Sequence, residues 1–169
     1  MATGNVPTRE VLPDVVGPNL KVLICGSAVG AASARAGAYY AHPGNRFWRT
    51  LHDIGLTPHR VTPPQYRDVL RYGIGMTDLC KTQSGSDASL DRQADDPARV
   101  MRLVRRWRPR SLAFNGKRAA TVFFGAPVAY GPQPEPIGET AVFVLPSTAG
   151  LAGGVWDIGY WRALARFVG

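Results

Sequence analysis

The stretch GSAVGAASARAGAYYAHPGNRFW, residues 26–48, decides the fold. The run LKVLIC, residues 20–25, leads straight into it and stops at Gly26, the pattern of a short buried strand. On the far side, Asn45 opens a helix over residues 45–54, with Phe47, Trp48 and Leu51 on one face and Gly55 as its stop. Between strand and helix lie small residues, the pair Tyr39-Tyr40, and His42-Pro43-Gly44-Asn45. Such a composition makes a pocket floor on which a flat ring can lie.

Working outward, the same alternation repeats. Residues 74–79 (IGMTDL), 111–114 and 141–145 read as further strands. A helix follows Pro63-Pro64, carries Tyr66, Val69 and Leu70, and stops at Gly73. Pro97 opens another, with Val100, Leu103, Val104 and Trp107 as its apolar stripe. Asn115-Gly116 turns the third strand into a helix through Phe124, and residues 158–168 form a closing helix. Residues 80–96 and 125–138 read as loops, and residues 1–19, with Pro7, Pro13 and Pro18, as an irregular lead-in to a single domain over 20–169. This order predicts an α/β fold, a three-layer α/β/α sandwich with a four-stranded, mainly parallel central sheet. Ligands of such sheets bind outside the carboxyl ends of the strands, here residues 26–45, 77–81, 115–116 and 146–151.

Composition narrows the class. A chain of 169 residues, 45% hydrophobic, buries a core as one domain. No run of about 18 apolar residues spans a membrane, and the start of the chain lacks a basic segment followed by an apolar one, so an intracellular protein is expected. The formal charge is +8, from 20 basic and 12 acidic side chains, most of the basic ones arginine, which favours a nucleic-acid partner. Two cysteines outside any CxxC pair and three scattered histidines predict neither a metal site nor a cofactor. Gly26 and Gly30 without a glycine at 33 do not complete GxGxxG, the lysine-containing phosphate loop is missing, and GSAVG is not the GxSxG elbow. The arginines between Arg99 and Arg110 could bind phosphates, but lie mostly off the apolar stripe and read rather as a solvated outer face.

Three of the strand-end segments, GSAVG, AHPGNRFW and VLPSTAGL, resemble in order and spacing the uracil-DNA glycosylase superfamily. The likeness runs from about Leu20 to the end of the chain. It is closest to the mismatch-specific uracil/thymine-DNA glycosylases, which have a Gly-x-Asn-Pro-Gly first motif, a following His-Pro-x-Asn-Arg-Phe-Trp, and a loop ending in Gly-Leu. FNGK at 114–117 and GIGMTD at 73–78 are similar to that branch too. The hypoxanthine-DNA glycosylase branch shares YYAHP-x-N-x-FW and LPST. The chain departs from the pattern at Ala28, where an Asp or Asn usually positions the attacking water, and at Ser147, where a His or Asn is common.

The resemblance implies excision of uracil from DNA after base flipping, leaving an abasic site, with hypoxanthine excision or a weakly catalytic lesion-binding module as alternatives. It implies a monomer, without metal or cofactor. Tyr40 is the candidate stacking floor, and the backbone around Gly26, Ser27 and Ala28 the candidate donor set for the base's oxygens. Asn115 is a further candidate base contact. Asp78 can accept a ring N–H of the base, activate water, or cap its strand. Asn45 can position water, bind the base, or cap a helix. His42 can stabilise charge on the leaving base or serve structure alone, and Ser147 can bond the base, a phosphate or its own turn. Gly150 and Leu151 resemble the wedge that fills the gap left by the extruded nucleotide. Lys81, Lys117 and Arg118 are candidate phosphate contacts.

Overall fold

In the computed structural model, residues 9–149 and 155–169 are described. The strands are β1 (Val22–Gly26), β2 (Ile74–Asp78), β3 (Ser111–Asn115), β4 (Gly131–Pro132) and β5 (Ala141–Leu145). They form one sheet in the order β2-β1-β3-β5-β4. The first four in that order are parallel, and β4 pairs antiparallel with β5 through two residues only. The sheet therefore has five strands rather than four. The added strand escapes pattern reading because Gly-Pro carries no alternation.

Strand residues alternate between two cores, as the period of 2 requires. Val22, Ile24, Met76, Ala113, Phe143 and Leu145 face α2 (Phe47–Asp53), a 3₁₀ helix at Pro63–Tyr72, and α5 (Ile158–Val168). Leu23, Cys25, Leu112, Phe114, Val142 and Val144 face α3 (Pro97–Trp107) and α4 (Lys117–Phe124). Both faces are covered, so each long strand reads as a continuous apolar run rather than an alternating one. A short helix, α1 (Ala31–Ala36), lies in the small-residue stretch after β1. It lacks an apolar stripe, so periodicity does not reveal it. The residues after Pro63-Pro64 are helical as expected, but wound as 3₁₀.

The irregular lead-in, over its described residues 9–19, packs against the sheet. Leu12 and Val15 are buried in the first core. Val15 and Met76 exchange both backbone hydrogen bonds, each 2.9 Å, so the segment pairs with the outer edge of β2. An exposed edge is thereby covered. Gly75 makes this possible, since a Cβ there would stand 2.8 Å from the Val15 carbonyl oxygen and 2.9 Å from Leu20 Cδ1. Gly75→Ala is therefore expected to destabilise the fold by about 1–3 kcal/mol, read as a lowered urea midpoint.

Candidate active site

The order β2-β1-β3 places the topological switch beside β1, where the loops after β1 and β3 run in opposite directions. A cleft of about 970 Å³ opens there, at the carboxyl ends of the strands. Its walls are residues 26–33 after β1, Tyr40 to Arg49, Asp78 at the end of β2, Asn115 to Arg118, and Ser147 to Ala149 after β5. Five of its lining side chains are basic (Arg35, Arg46, Arg49, Lys117 and Arg118), against the acids Asp78 and Asp87. A concave basic rim suits a phosphate backbone. Arg46 and Arg49 were missed from sequence, although they follow directly on the HPGN segment at helical spacing.

Gly26, Tyr40 and Asp78 make the floor. A Cβ at Gly26 would lie 2.6 Å from Asp78 Oδ1 and 3.3 Å from the Tyr40 hydroxyl oxygen, so only glycine lets the carboxyl and the phenol close over the end of β1. Asp78 is 2% exposed, and its Oδ2 has no hydrogen-bond partner among the described residues. The Tyr40 hydroxyl is likewise buried without a partner. Two such groups facing one cleft are a request for a polar ligand, because an unmet buried polar atom costs about 1–3 kcal/mol. Burial pushes the Asp78 carboxyl up to about 6, with Lys81 and Arg99 lowering it and Asp14 raising it. Burial, then the Asp78 charge, pushes the Tyr40 phenol above its ordinary range, so it stays a neutral donor.

Tyr40 is held with a positive φ of 51°, a backbone state that non-glycine residues rarely adopt. Phe47, the first residue of α2, stacks on its ring at a centroid distance of 3.8 Å and 23° between planes. Ser33 closes the preceding turn by accepting from the Ala41 N–H at 2.9 Å, and Trp48 Nε1 donates to the Tyr39 carbonyl at 3.1 Å. The tyrosine is thus fixed from several sides while its ring lines the cleft.

The remaining expected residues divide. Asn45 lines the cleft, and its Oδ1 accepts from the Phe47 N–H at 3.0 Å, a local turn leading into α2 that leaves its amide nitrogen free of that bond. His42 is exposed at the rim; its Nδ1 accepts from the Gly44 N–H at 2.9 Å, which leaves the ring proton of the neutral form on Nε2. Ser27 and Ala28 line the cleft beside Gly26, and Lys117 and Arg118 stand on its rim. Arg118 is also bonded to Asp95 at 3.0 Å. Ser147 is exposed, and its Oγ accepts from the Ala149 N–H at 3.2 Å, a local turn. Gly150 and Leu151, the expected wedge, lie outside the described residues.

Asn115 and Lys81 are both tied within the protein, and for Lys81 the expectation needs correction. Asn115 reaches the cleft wall, but both ends of its amide are taken by Thr148: Nδ2 donates to Thr148 Oγ1 and Oδ1 accepts from the Thr148 N–H, both at 3.0 Å. It fastens the loop after β5 to the end of β3, with one N–H and one oxygen lone pair left over at the cleft wall. Lys81 is not a surface phosphate contact. It is 5% exposed, and its Nζ lies 3.1 Å from Asp14 Oδ1 and 3.1 Å from the Tyr39 hydroxyl. Asp14, Tyr39 and Arg99 behind the floor were not legible as site residues, because their partners are distant in sequence. Among the described residues, no group of three or more His, Cys, Asp or Glu side chains is placed to hold a metal ion.

Residues 13–158 match the family model of the uracil DNA glycosylase superfamily. The chain belongs to that superfamily. Membership makes it a DNA glycosylase by family, a hydrolase class of DNA repair. It is also similar to the solution NMR structure of a candidate uracil DNA glycosylase from Methanosarcina acetivorans. That likeness has a TM-score of 0.61 and 26% identity, and covers 95% of this chain and 98% of the other. The matched span contains every loop that lines the strand-end cleft.

The raised Asp78 carboxyl has a consequence for stability. Its folded value of about 6 exceeds the ordinary 3.8, so the native state holds a proton that the unfolded chain releases between these limits. Stability from this group is present below about pH 4, falls as pH rises to about 6, and is flat above. Asp78→Asn removes that loss. The variant is expected to gain on the wild type by up to about 3 kcal/mol between pH 4 and pH 7, measured by urea unfolding across pH.

Proposed function

We propose that this chain is a monofunctional DNA glycosylase that draws uracil out of the helix into the strand-end cleft and hydrolyses its N-glycosidic bond, leaving an abasic site. The observation that carries the reading is the buried Asp78 carboxylate, its Oδ2 without a partner among the described residues, on the floor of a basic-rimmed cleft in a chain of this superfamily.

Depth separates the roles. The sugar stays with the backbone at the mouth, so an almost fully buried carboxyl meets the far edge of the base, not C1′. Ionised Asp78 accepts the ring N–H of that edge, N3–H in uracil. Tyr40, backed by Phe47, supplies the stacking surface. Cleavage breaks the C1′–N bond with its electron pair going to the base, and water adds to C1′ while its proton passes to the departing base. The amides of Ser27 and Ala28 and His42 Nε2–H are the donors for the charge that develops on the base's oxygens. Asn45, its oxygen engaged in that turn, offers its amide nitrogen as a donor that positions the water without deprotonating it. Lys117, Arg46 and Arg49 hold phosphates, and Gly150-Leu151 is the wedge. Every group comes from one chain, so a monomer suffices, and no metal or cofactor enters the reaction.

Hypoxanthine is the second substrate the cleft supports. Its N1–H beside a carbonyl presents Asp78 with the same donor that uracil does, and a cleft of about 970 Å³ admits a purine. By its motifs the chain sits nearest the mismatch-specific branch, with features of the hypoxanthine branch.

The test is base release from labelled oligonucleotides carrying uracil, hypoxanthine or thymine opposite guanine, single- and double-stranded. Wild type is expected to release uracil. Asp78→Ala is expected to lower kcat/KM roughly 10- to 150-fold, the worth of a charged hydrogen bond of about 1.5–3 kcal/mol. Tyr40→Ala is expected to cost about 1–3 kcal/mol of stacking, and Asn45→Ala to act mainly on kcat. Folded protein that holds abasic DNA but releases none of the three bases would overturn the enzyme in favour of a lesion-binding module.

A further inference from the structure

We propose that Asp14 and Lys81, with Thr77 and Arg99, form a partly buried clamp that positions Asp78 from behind and governs when it is ionised, making the segment before β1 part of the reaction machinery. The proposal rests on the reading of Asp78 as the acceptor for the base.

The clamp is continuous. Arg99 Nη1 lies 2.6 Å from Asp14 Oδ2, and its Nη2 donates to Thr77 Oγ1 at 2.9 Å and to the Asp78 carbonyl oxygen. Thr77 donates to Asp14 Oδ1 at 2.6 Å. Lys81 Nζ lies 3.1 Å from the same oxygen and donates to the Tyr39 hydroxyl, which in turn donates to the Pro13 carbonyl at 3.0 Å. Four elements thus meet behind one carboxyl: residues 13–14, the end of β2, the first turn of α3, and the residues after β2. Arg99 reaches it because Asp96 caps α3 by accepting the Arg99 N–H at 3.0 Å.

The charges balance, with Asp14 and Asp78 against Lys81 and Arg99. An anionic base leaving the sugar therefore meets no net charge from the cluster, and the acceptor is kept without repelling the product. The groups that act on Asp78 are Asp14 from the N-terminal segment, Lys81 after β2, and Arg99 from α3, with the neutral Tyr40 phenol and Cys25 thiol closing its other sides. Asp14 opposes ionisation of Asp78, whereas Lys81 and Arg99 favour it.

Removing opposite charges must then move Asp78 in opposite directions, which damage to packing alone would not do. Asp14→Asn and Lys81→Met keep size while each removes one charge. In carboxyl-labelled protein without DNA, NMR titration of Asp78 is expected to shift to lower pH in Asp14→Asn and to higher pH in Lys81→Met, by about half a unit or more each. The double variant is expected to return toward wild type; if Lys81→Met does not fold, Arg99→Met is expected to move Asp78 to higher pH in its place. The acid limb of uracil release is expected to follow the same signs. Shifts of one sign, or none, in the NMR titration overturn the clamp. A titration that moves as expected while the acid limb stays fixed instead overturns Asp78 as the acceptor on which excision depends.

Discussion

Burial of one carboxylate organises this molecule. An ionised Asp placed where it is 2% exposed is costly unless charges and hydrogen bonds compensate it. Compensation fixes much of the surrounding architecture. Gly26 must lack a side chain, because any Cβ would strike Asp78 Oδ1. The first turn of α3 must begin at its Asp96 cap so that Arg99 points back under β2. Residues 12–15 lie along the edge of β2, so that Asp14 pairs with the two cations and tempers the help they give to ionised Asp78. The compensation is incomplete: Asp78 lines the cleft, and its Oδ2 is buried without a partner among the described residues. Stability given up at such a point is a common trait of sites that wait for a ligand.

The rest of the cleft is built from loops, and each loop is tied down. The amide pair between Asn115 and Thr148 joins the ends of β3 and β5. Trp161 of α5 donates from Nε1 to the Pro146 carbonyl at 3.0 Å, anchoring the start of the same loop from the opposite layer. Arg46 N–H donates to the Thr148 carbonyl at 2.9 Å, which links that loop to the start of α2. The stacked Tyr40 and Phe47 complete the ring of ties. A base entering this cleft meets groups that are already oriented, which is the condition under which fixed dipoles lower a barrier.

Much of this was legible in the chain. β1, β2, β3 and β5 are doubly covered, so they read as plain apolar runs, and α3 and α5 carry clear stripes and starts. α1 was invisible because Ala-Ala-Ser-Ala-Arg-Ala holds no stripe. The lead-in hid its role because prolines mask the single pair of backbone bonds that Val15 makes. Within the site, Gly26, Tyr40 and Asp78 stood out as chemistry at strand ends, and the structure brings all three to one floor.

The sequence by itself determined the layer order, the strands whose ends carry chemistry, and the superfamily, because these depend on local period and on motifs contiguous in the chain. Only the tertiary structure decided what the polar residues near those ends do. Lys81 and Asn115 look like surface and pocket groups in a linear reading, yet one is an internal counter-ion and the other a loop fastener. The physical reason is that a buried charge or amide takes its role from its partner. Asp14 and Thr148 are brought to those partners by folding, across long separations that no periodicity records.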